Sequence, residues 1–371
     1  MRISFTACCV LFAVSVGVVD SAWAQDRIKL KGSDAELRGS VGVMSKTEVS
    51  FKPSSRSQPE RKVPVNQISV IRWDKEPADL NLRRNDERNG KLQEALAGYE
   101  KALKESRATQ TNLRDDLNFL IIRVTAKMAL LDPSKIDDAV KKLEAFRTSH
   151  SNHFRYYEAL EYLVRLYIAK KDYAQLGTIV PEMNTAPWND YKMMAQNYQA
   201  RAHLLQGNVD AALNSYNAVI VRPAKSPSEL SRRSEAMLGK ASCLHQNNQS
   251  AAAVKLLEEA VAQLPEEETA ILAEAYLRMG EILRAEADRL HKQGDSTGRL
   301  LKSKEATLAY LHLDVLQNLS REKALHAEAL YHLSQLWRTI RHPDRAAEAA
   351  ARLKTDYPNS EWAKKLSAFG S

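Results

Sequence analysis

The stretch "LLQGNVDAALNSYNAVI", Leu204 to Ile220, holds no cluster of reactive side chains, and its spacing decides the fold. Gly207 is followed by the small pair Ala211 and Ala212, and Tyr216 stands four residues beyond Ala212. Side chains three and four apart share one face of a helix, so Ala212, Tyr216 and Val219 line one side. Little side chain at a contact point lets two helices approach closely. A large residue one turn on then fills the gap to a further neighbour.

The same offsets recur along the chain. With Ala212 as the reference, Ala95, Ala139, Leu176, Ala253, Ala306 and Ala346 take its place, at steps of about 36 to 53 residues. Four residues on stand Tyr99, Leu143, Val180, Leu257 and Tyr310, and only Ala350 is small. Seven on stand Ala102, Phe146, Met183, Val219, Ala260, Leu313 and Leu353. A helical hairpin repeated in this way leaves an apolar side open, so successive hairpins must stack.

Two stretches carry the fullest pattern. In "AMLGKASCLHQNNQSAAAVKLLEEAVAQLP" (236–265) Ala241 is the small residue of a first helix, Ala253 and Ala260 lie on the second, and Pro265 is the stop. In "ALYHLSQLWRTIRHPDRAAEAAARLKTDYP" (329–358) Ser334, Ala346 and Pro358 take those places. Both resemble the tetratricopeptide repeat. The resemblance implies a mainly α fold, a tetratricopeptide-like α-α superhelix of about seven hairpins between Pro77 and Tyr357. "YPNSEWAKKL" after it resembles the end of many bacterial envelope repeat proteins. The first hairpin departs from the pattern with Arg83 at a small position, and the third with Leu176. The sixth is lengthened by "RAEADRLHKQGDSTGRLLKSKEATLAYL", with "KQGDSTG" as its turn.

Ahead of the helices the period is two. Ile28 and Leu30, then Leu37, Val41 and Val43, then Val49 and Phe51, then Val63, Val65, Ile68, Val70 and Ile71 mark short half-buried strands from Arg27 to Trp73. Their order resembles SH3-like or Sm-like small barrels, which implies a small all-β barrel module. It is either a recognition module or a packing cap on the helices. The chain is thus expected to divide into a signal peptide (1–24), the small β module (25–76) and the helical repeats (77–371).

The first residues read as an export signal: Arg2, the apolar run "ACCVLFAVSVGVV", and an A-x-A cleavage pattern at Ala22 and Ala24. The run is shorter than the ~20 residues a membrane-spanning helix needs. Cleavage near Ala24 places the chain outside the cytoplasm, periplasmic or secreted, with no transmembrane helix remaining. It removes Cys8 and Cys9 and leaves Cys243 on an apolar helix face, a buried thiol with no partner for a disulfide. Arg2 and Asp20 cancel, so the formal +8 survives cleavage. The charges are interspersed rather than blocked, which with export excludes nucleic acid as the partner.

Catalytic motifs are missing. No phosphate loop, nucleophile elbow, H-E-x-x-H or paired cysteines occur, so no enzyme and no cofactor is expected. His150 and His153 are three apart in "TSHSNHF", a loop with no carboxylate or cysteine placed to complete a metal site. What remains is the inner groove. The repeat resemblance places there Glu161 and Arg165, Asn197 and Arg201, Leu238 and His245, then Leu277, Glu281 and Arg284, and finally Gln335 and Arg338. Arg165 and Arg201 fall at equivalent sites of adjacent hairpins, where a planar fork of donors suits a carboxylate or phosphate. The expected function is a non-enzymatic scaffold holding a peptide or helix of another envelope protein. The second reading is a binder of anionic cell-wall polymer, with the β module as reader and the repeats as spacer.

Overall fold

The computed structural model describes residues 25–368 apart from Asp34, Arg56 and 265–267. The export signal (1–24) and Pro265 therefore lie outside the described residues. Five strands come first: β1 (Asp26–Leu30), β2 (Glu36–Met44), β3 (Glu48–Pro53), β4 (Arg61–Pro64) and β5 (Ile68–Arg72). They form one antiparallel sheet in the order β4-β3-β2-β1-β5. A one-turn 3-10 helix at Val65–Gln67 joins β4 to β5.

The sheet corrects one expectation. It is open, with β4 and β5 as its edges, and is not closed into a small barrel. The physical reason is where its apolar face goes. Ile28, Val49, Phe51, Val63 and Ile71 share one core with Leu80, Tyr99, Leu117 and Leu120 of the helices. Apolar area is removed from water by the helices, so the sheet need not curl onto itself. A register shift between Val41 and Met44 turns Val43 outward, where it is 81% exposed.

The helices follow as pairs: α1 (Leu80–Arg88) with α2 (Leu92–Glu105), α3 (Thr111–Leu131) with α4 (Ile136–Ser149), and α5 (Tyr156–Lys170) with α6 (Tyr173–Met183). Then come α7 (Asn189–Leu205) with α8 (Val209–Ile220), α9 (Pro227–Gln246) with α10 (Ser250–Gln263), and α11 (Thr269–Lys292) with α12 (Ser296–Val315). α13 (Lys323–Thr339) pairs with α14 (Pro343–Asp356), and α15 (Glu361–Ala368) closes the array. Ala95, Ala139, Ala212, Ala253, Ala306 and Ala346 all sit on second helices and are all fully buried. Tyr216 shows why. A β-carbon added at Gly239 of the next hairpin would lie 2.1 Å from its ring, so glycine there admits the tyrosine. In the first hairpin the trade is reversed: Arg83 on α1 is admitted by Gly98 on α2. The sixth hairpin has the longest pair of helices, and its turn is shorter than expected. Ser296 to Gly298 already belong to α12, because the Asp295 carboxylate caps it by accepting from the Gly298 N–H.

Six of the seven hairpin turns share one conformation. Gly90, Lys171, Gly207, Asn248, Gly294 and Arg341 have positive φ, and each stands two residues before its second helix begins. Glycine takes that conformation freely, whereas other L-residues meet a clash worth about 1–2 kcal/mol. Arg341→Gly is therefore expected to raise stability by about 1 kcal/mol, and Gly207→Ala to lower it by a similar amount, in urea titrations of each variant.

A chain of buried charges ties the sheet to the helices. The Trp73 indole N–H donates to Asp116 at 3.0 Å, and Arg155 donates to the other oxygen of Asp116 at 3.0 Å. Arg155 also holds Glu158, which Arg123 reaches at 2.9 Å, and Arg123 pairs with Glu87 at 2.6 Å. Burial would raise the pKa values of Glu87 and Glu158, but the arginines more than offset this and hold both at about 2. Both groups therefore ionise at lower pH in the folded chain than in the unfolded one. Their contribution is complete above about pH 4.5 and is lost as pH falls toward 2. Acid unfolding curves are expected to lose on the order of 2 kcal/mol per group across that window. Glu87→Gln should flatten the loss while lowering stability at neutral pH.

Candidate functional site

First helices build the site. α5, α7, α9 and α11 stand side by side, and a cavity of about 450 Å³ opens along them. Residues four apart on α5 (Glu161, Arg165) and on α7 (Asn197, Arg201) line its wall. Arg232 and Glu235 of α9 and Glu274 and Arg278 of α11 line the rest. Tyr198 and Tyr216 contribute rings.

The charges in this cavity divide into two kinds. Arg232 pairs with Glu235 at 2.7 Å, and the Asn197 amide donates to the Arg232 carbonyl at 2.8 Å. Arg278 is held by Glu274 through its Nε at 3.1 Å and donates to the Ser242 hydroxyl at 2.8 Å. Burial works against the carboxylate of Glu274, and Arg278 outweighs it, so the group is held below its usual pKa. Arg165 and Arg201 differ. Both are exposed, and neither makes an ion pair among the described residues. The Arg165 guanidinium lies over the Tyr162 ring at 5.4 Å; desolvation works against its charge, and Tyr198 and Glu161 nearby more than offset this without an ion pair.

Five of the residues placed in the groove by sequence, Glu161, Arg165, Asn197, Arg201 and Leu238, line this one cavity. Leu238 is 2% exposed and forms part of its floor. His245 lies elsewhere, on a hollow beside Glu286 and Arg289, with its Nδ1 3.1 Å from the Ser250 hydroxyl. Leu277 is buried in the core between α11 and α13. Glu281 is half-buried; burial and the neighbouring charge of Glu328 raise its pKa. Arg284 reaches Asp288 at 3.6 Å, Gln335 is half-buried and Arg338 is exposed. Four charged residues of the cavity were not read from the sequence: Arg232, Glu235, Glu274 and Arg278. The signal was present as Arg/Glu pairs three and four apart on two first helices.

Two segments of the chain, residues 199–268 and 328–360, each match a tetratricopeptide-repeat family model. The array is tetratricopeptide-like. None of the curated proteins compared with the chain matches it. Among solved structures, PilW, a widely conserved type IV pilus biogenesis factor, is similar at 14% identity, covering 66% of this chain and 98% of its own, with a TM-score of 0.39. BtubC from P. vanneervenii is 14% identical over 67% of this chain and 91% of its own, with a TM-score of 0.37. A Rap protein complexed with Competence and Sporulation Factor is 14% identical over 78% of both chains, with a TM-score of 0.42. Among the described residues no helix is long and apolar enough to cross a membrane.

Because Arg165 and Arg201 hold no partner carboxylate, removing them costs the fold little. Arg165→Ala and Arg201→Ala are expected to shift stability by no more than about 0.5 kcal/mol, the range of ordinary surface changes. Arg278→Ala leaves the half-buried Glu274 unpaired and should cost about 1–3 kcal/mol in the same thermal melts.

Proposed function

We propose that this chain is an exported, non-enzymatic scaffold whose first-helix groove holds a peptide or helix of another envelope protein. Matches to the tetratricopeptide repeat at two places support an interaction scaffold. The observation that carries the groove reading is the contrast among its arginines. Arg232 and Arg278 hold ion pairs within the fold, whereas Arg165 and Arg201, at equivalent places on adjacent first helices, hold none among the described residues. Two free guanidinium forks beside Tyr162 and Tyr198 suit a segment carrying carboxylates next to apolar or aromatic side chains. Glu161, Asn197 and Leu238 border the same cavity and would set the register of such a segment. The export signal read from residues 1–24 supplies the address.

The open sheet favours the role of N-terminal cap over that of a polymer reader. Its apolar face is spent on the helical core, and the end of β5 is tied down by Trp73 on Asp116 and by Arg84 on the Ile71 carbonyl. A free edge and a basic surface remain for contacts, but no cavity faces outward from the sheet alone among the hollows described here.

Crosslinking of the tagged chain in its native host, followed by mass spectrometry, tests the scaffold. One dominant envelope protein is expected, with recovery cut at least tenfold by the Arg165→Ala, Arg201→Ala double variant. Wall fragments captured without protein, unchanged by the variant, would instead move the function to the sheet.

A further inference from the structure

We infer a second binding site, on the other side of α7, that takes an uncharged apolar side chain of a partner peptide together with its backbone N–H. α7 is used on two faces. Asn197 and Arg201 look into the arginine-lined groove, while Ala195, Gln199 and Ala202 line a separate hollow of about 340 Å³ against α6. Residues two positions apart on a helix point in nearly opposite directions, so the two sites do not share side chains.

The hollow exists because one hairpin lacks the side chains its neighbours have. In α8 the seam toward the next hairpin is filled by Leu213, Tyr216 and Ile220. In α10 the same positions carry Val254, Leu257 and Val261, again packed into the core. In α6 they are Gly177, Val180 and Asn184. A β-carbon at Gly177 would meet nothing within 4 Å, so the space that Leu213 occupies one hairpin later stands open. The floor is apolar, formed by Leu176, Val180, Ala195 and Ala202.

One feature besides shape makes this a site and not only a gap. Pro181 lies inside α6 and has no N–H, so the Gly177 carbonyl loses its helical donor at the mouth of the hollow. Gly177 is exposed, so its carbonyl is open to a donor from an incoming peptide. The rim is made of amides and one imidazole (Asn184, Gln196, Gln199, Gln206 and His203), and no Asp, Glu, Lys or Arg lines it among the described residues. An uncharged lining in a chain with 27% charged residues selects a neutral occupant. Leu213 supplies the measure of the missing group: a branched side chain of leucine size, with the adjacent peptide N–H free to reach the Gly177 carbonyl.

The test uses N-acetyl-leucinamide as the probe, in saturation-transfer NMR with the full chain. Transfer to the leucine methyl groups is expected, with none to N-acetylglycinamide, which lacks the side chain. Gly177→Leu, which gives α6 the residue that α8 has, should weaken the transfer at least fivefold. It should also raise the thermal midpoint by about 2–4 °C by filling the hollow and removing a helical glycine. Asn184→Ile, which restores the third seam position, should act in the same direction. A lower midpoint in Gly177→Leu would mean that the space is not open and would overturn the site. So would transfer in either variant as strong as in the wild type, equal transfer to the glycine probe, or transfer to N-acetylglucosamine alone. Self-association of the wild type that Gly177→Leu abolishes would overturn it in favour of a second copy of the chain.

Discussion

The structure depends on how closely two helices can approach at a buried alanine. At Ala212 and its equivalents the second helix carries almost nothing on its contact face, and the backbone of its partner comes into that space. Close approach has a consequence one turn away, where the surfaces diverge and a larger group is required. Tyr216 fills that divergence against Gly239, and Tyr310 does so by stacking under His332 at 5.1 Å. One alternation of small and large therefore fixes the hairpin, its neighbour and the sense in which the array continues. The turn conformation completes it, since a single positive-φ residue two places before the second helix reverses the chain in six hairpins.

Stacked hairpins need an end, and the sheet provides one. Its apolar face covers α1 to α3, which would otherwise expose the side that later hairpins bury against one another. The covering is directional because charges are buried with it. Asp116 receives Trp73 from the sheet side and Arg155 from the third hairpin, so a change in the angle between sheet and helices would strand a carboxylate in the interior. Lys46 adds a looser tie, lying over the ring of Tyr156 at 5.2 Å. Because the pKa values of its glutamates are held at about 2, acid strips charge from this network only after carboxylates in the usual range have protonated.

Much of this was legible in the sequence, and the unread parts have physical reasons. The seven hairpins, their boundaries and their buried alanines follow from spacing, because helix periodicity is local. The strands were also read in place from their alternation. The expected closure into a barrel does not hold, since alternation says which face is buried and not what buries it; here the answer is Leu80, Tyr99 and Leu117, further along the chain. Within the groove, carrying a register from hairpin to hairpin worked where the step was regular, as from Arg165 to Arg201. It drifted where the hairpins changed length. The lengthened α11 presents Glu274 and Arg278 to the cavity, and Leu277 between them goes to the core.

Departures from the repeat are the most informative residues in such a chain, because the repeat itself states what packing requires. Arg83 at a small position is matched by Gly98 facing it, so that departure is compensated inside the fold. Gly177 and Pro181 in α6 and Asn184 at its C-cap find no such compensation: the glycine meets open space, the proline frees a carbonyl, and the asparagine stands where its neighbours are apolar. Each of these choices weakens the helix that carries it. Three uncompensated choices on one face of one helix mark a place where stability inside the chain has been exchanged for a vacancy that another molecule can fill. The arginines on the far side of α7 follow the same logic in charge, since two guanidinium groups are left unpaired among others that are paired. Packing and charge thus pick out the same helix from its two sides, and they do so independently.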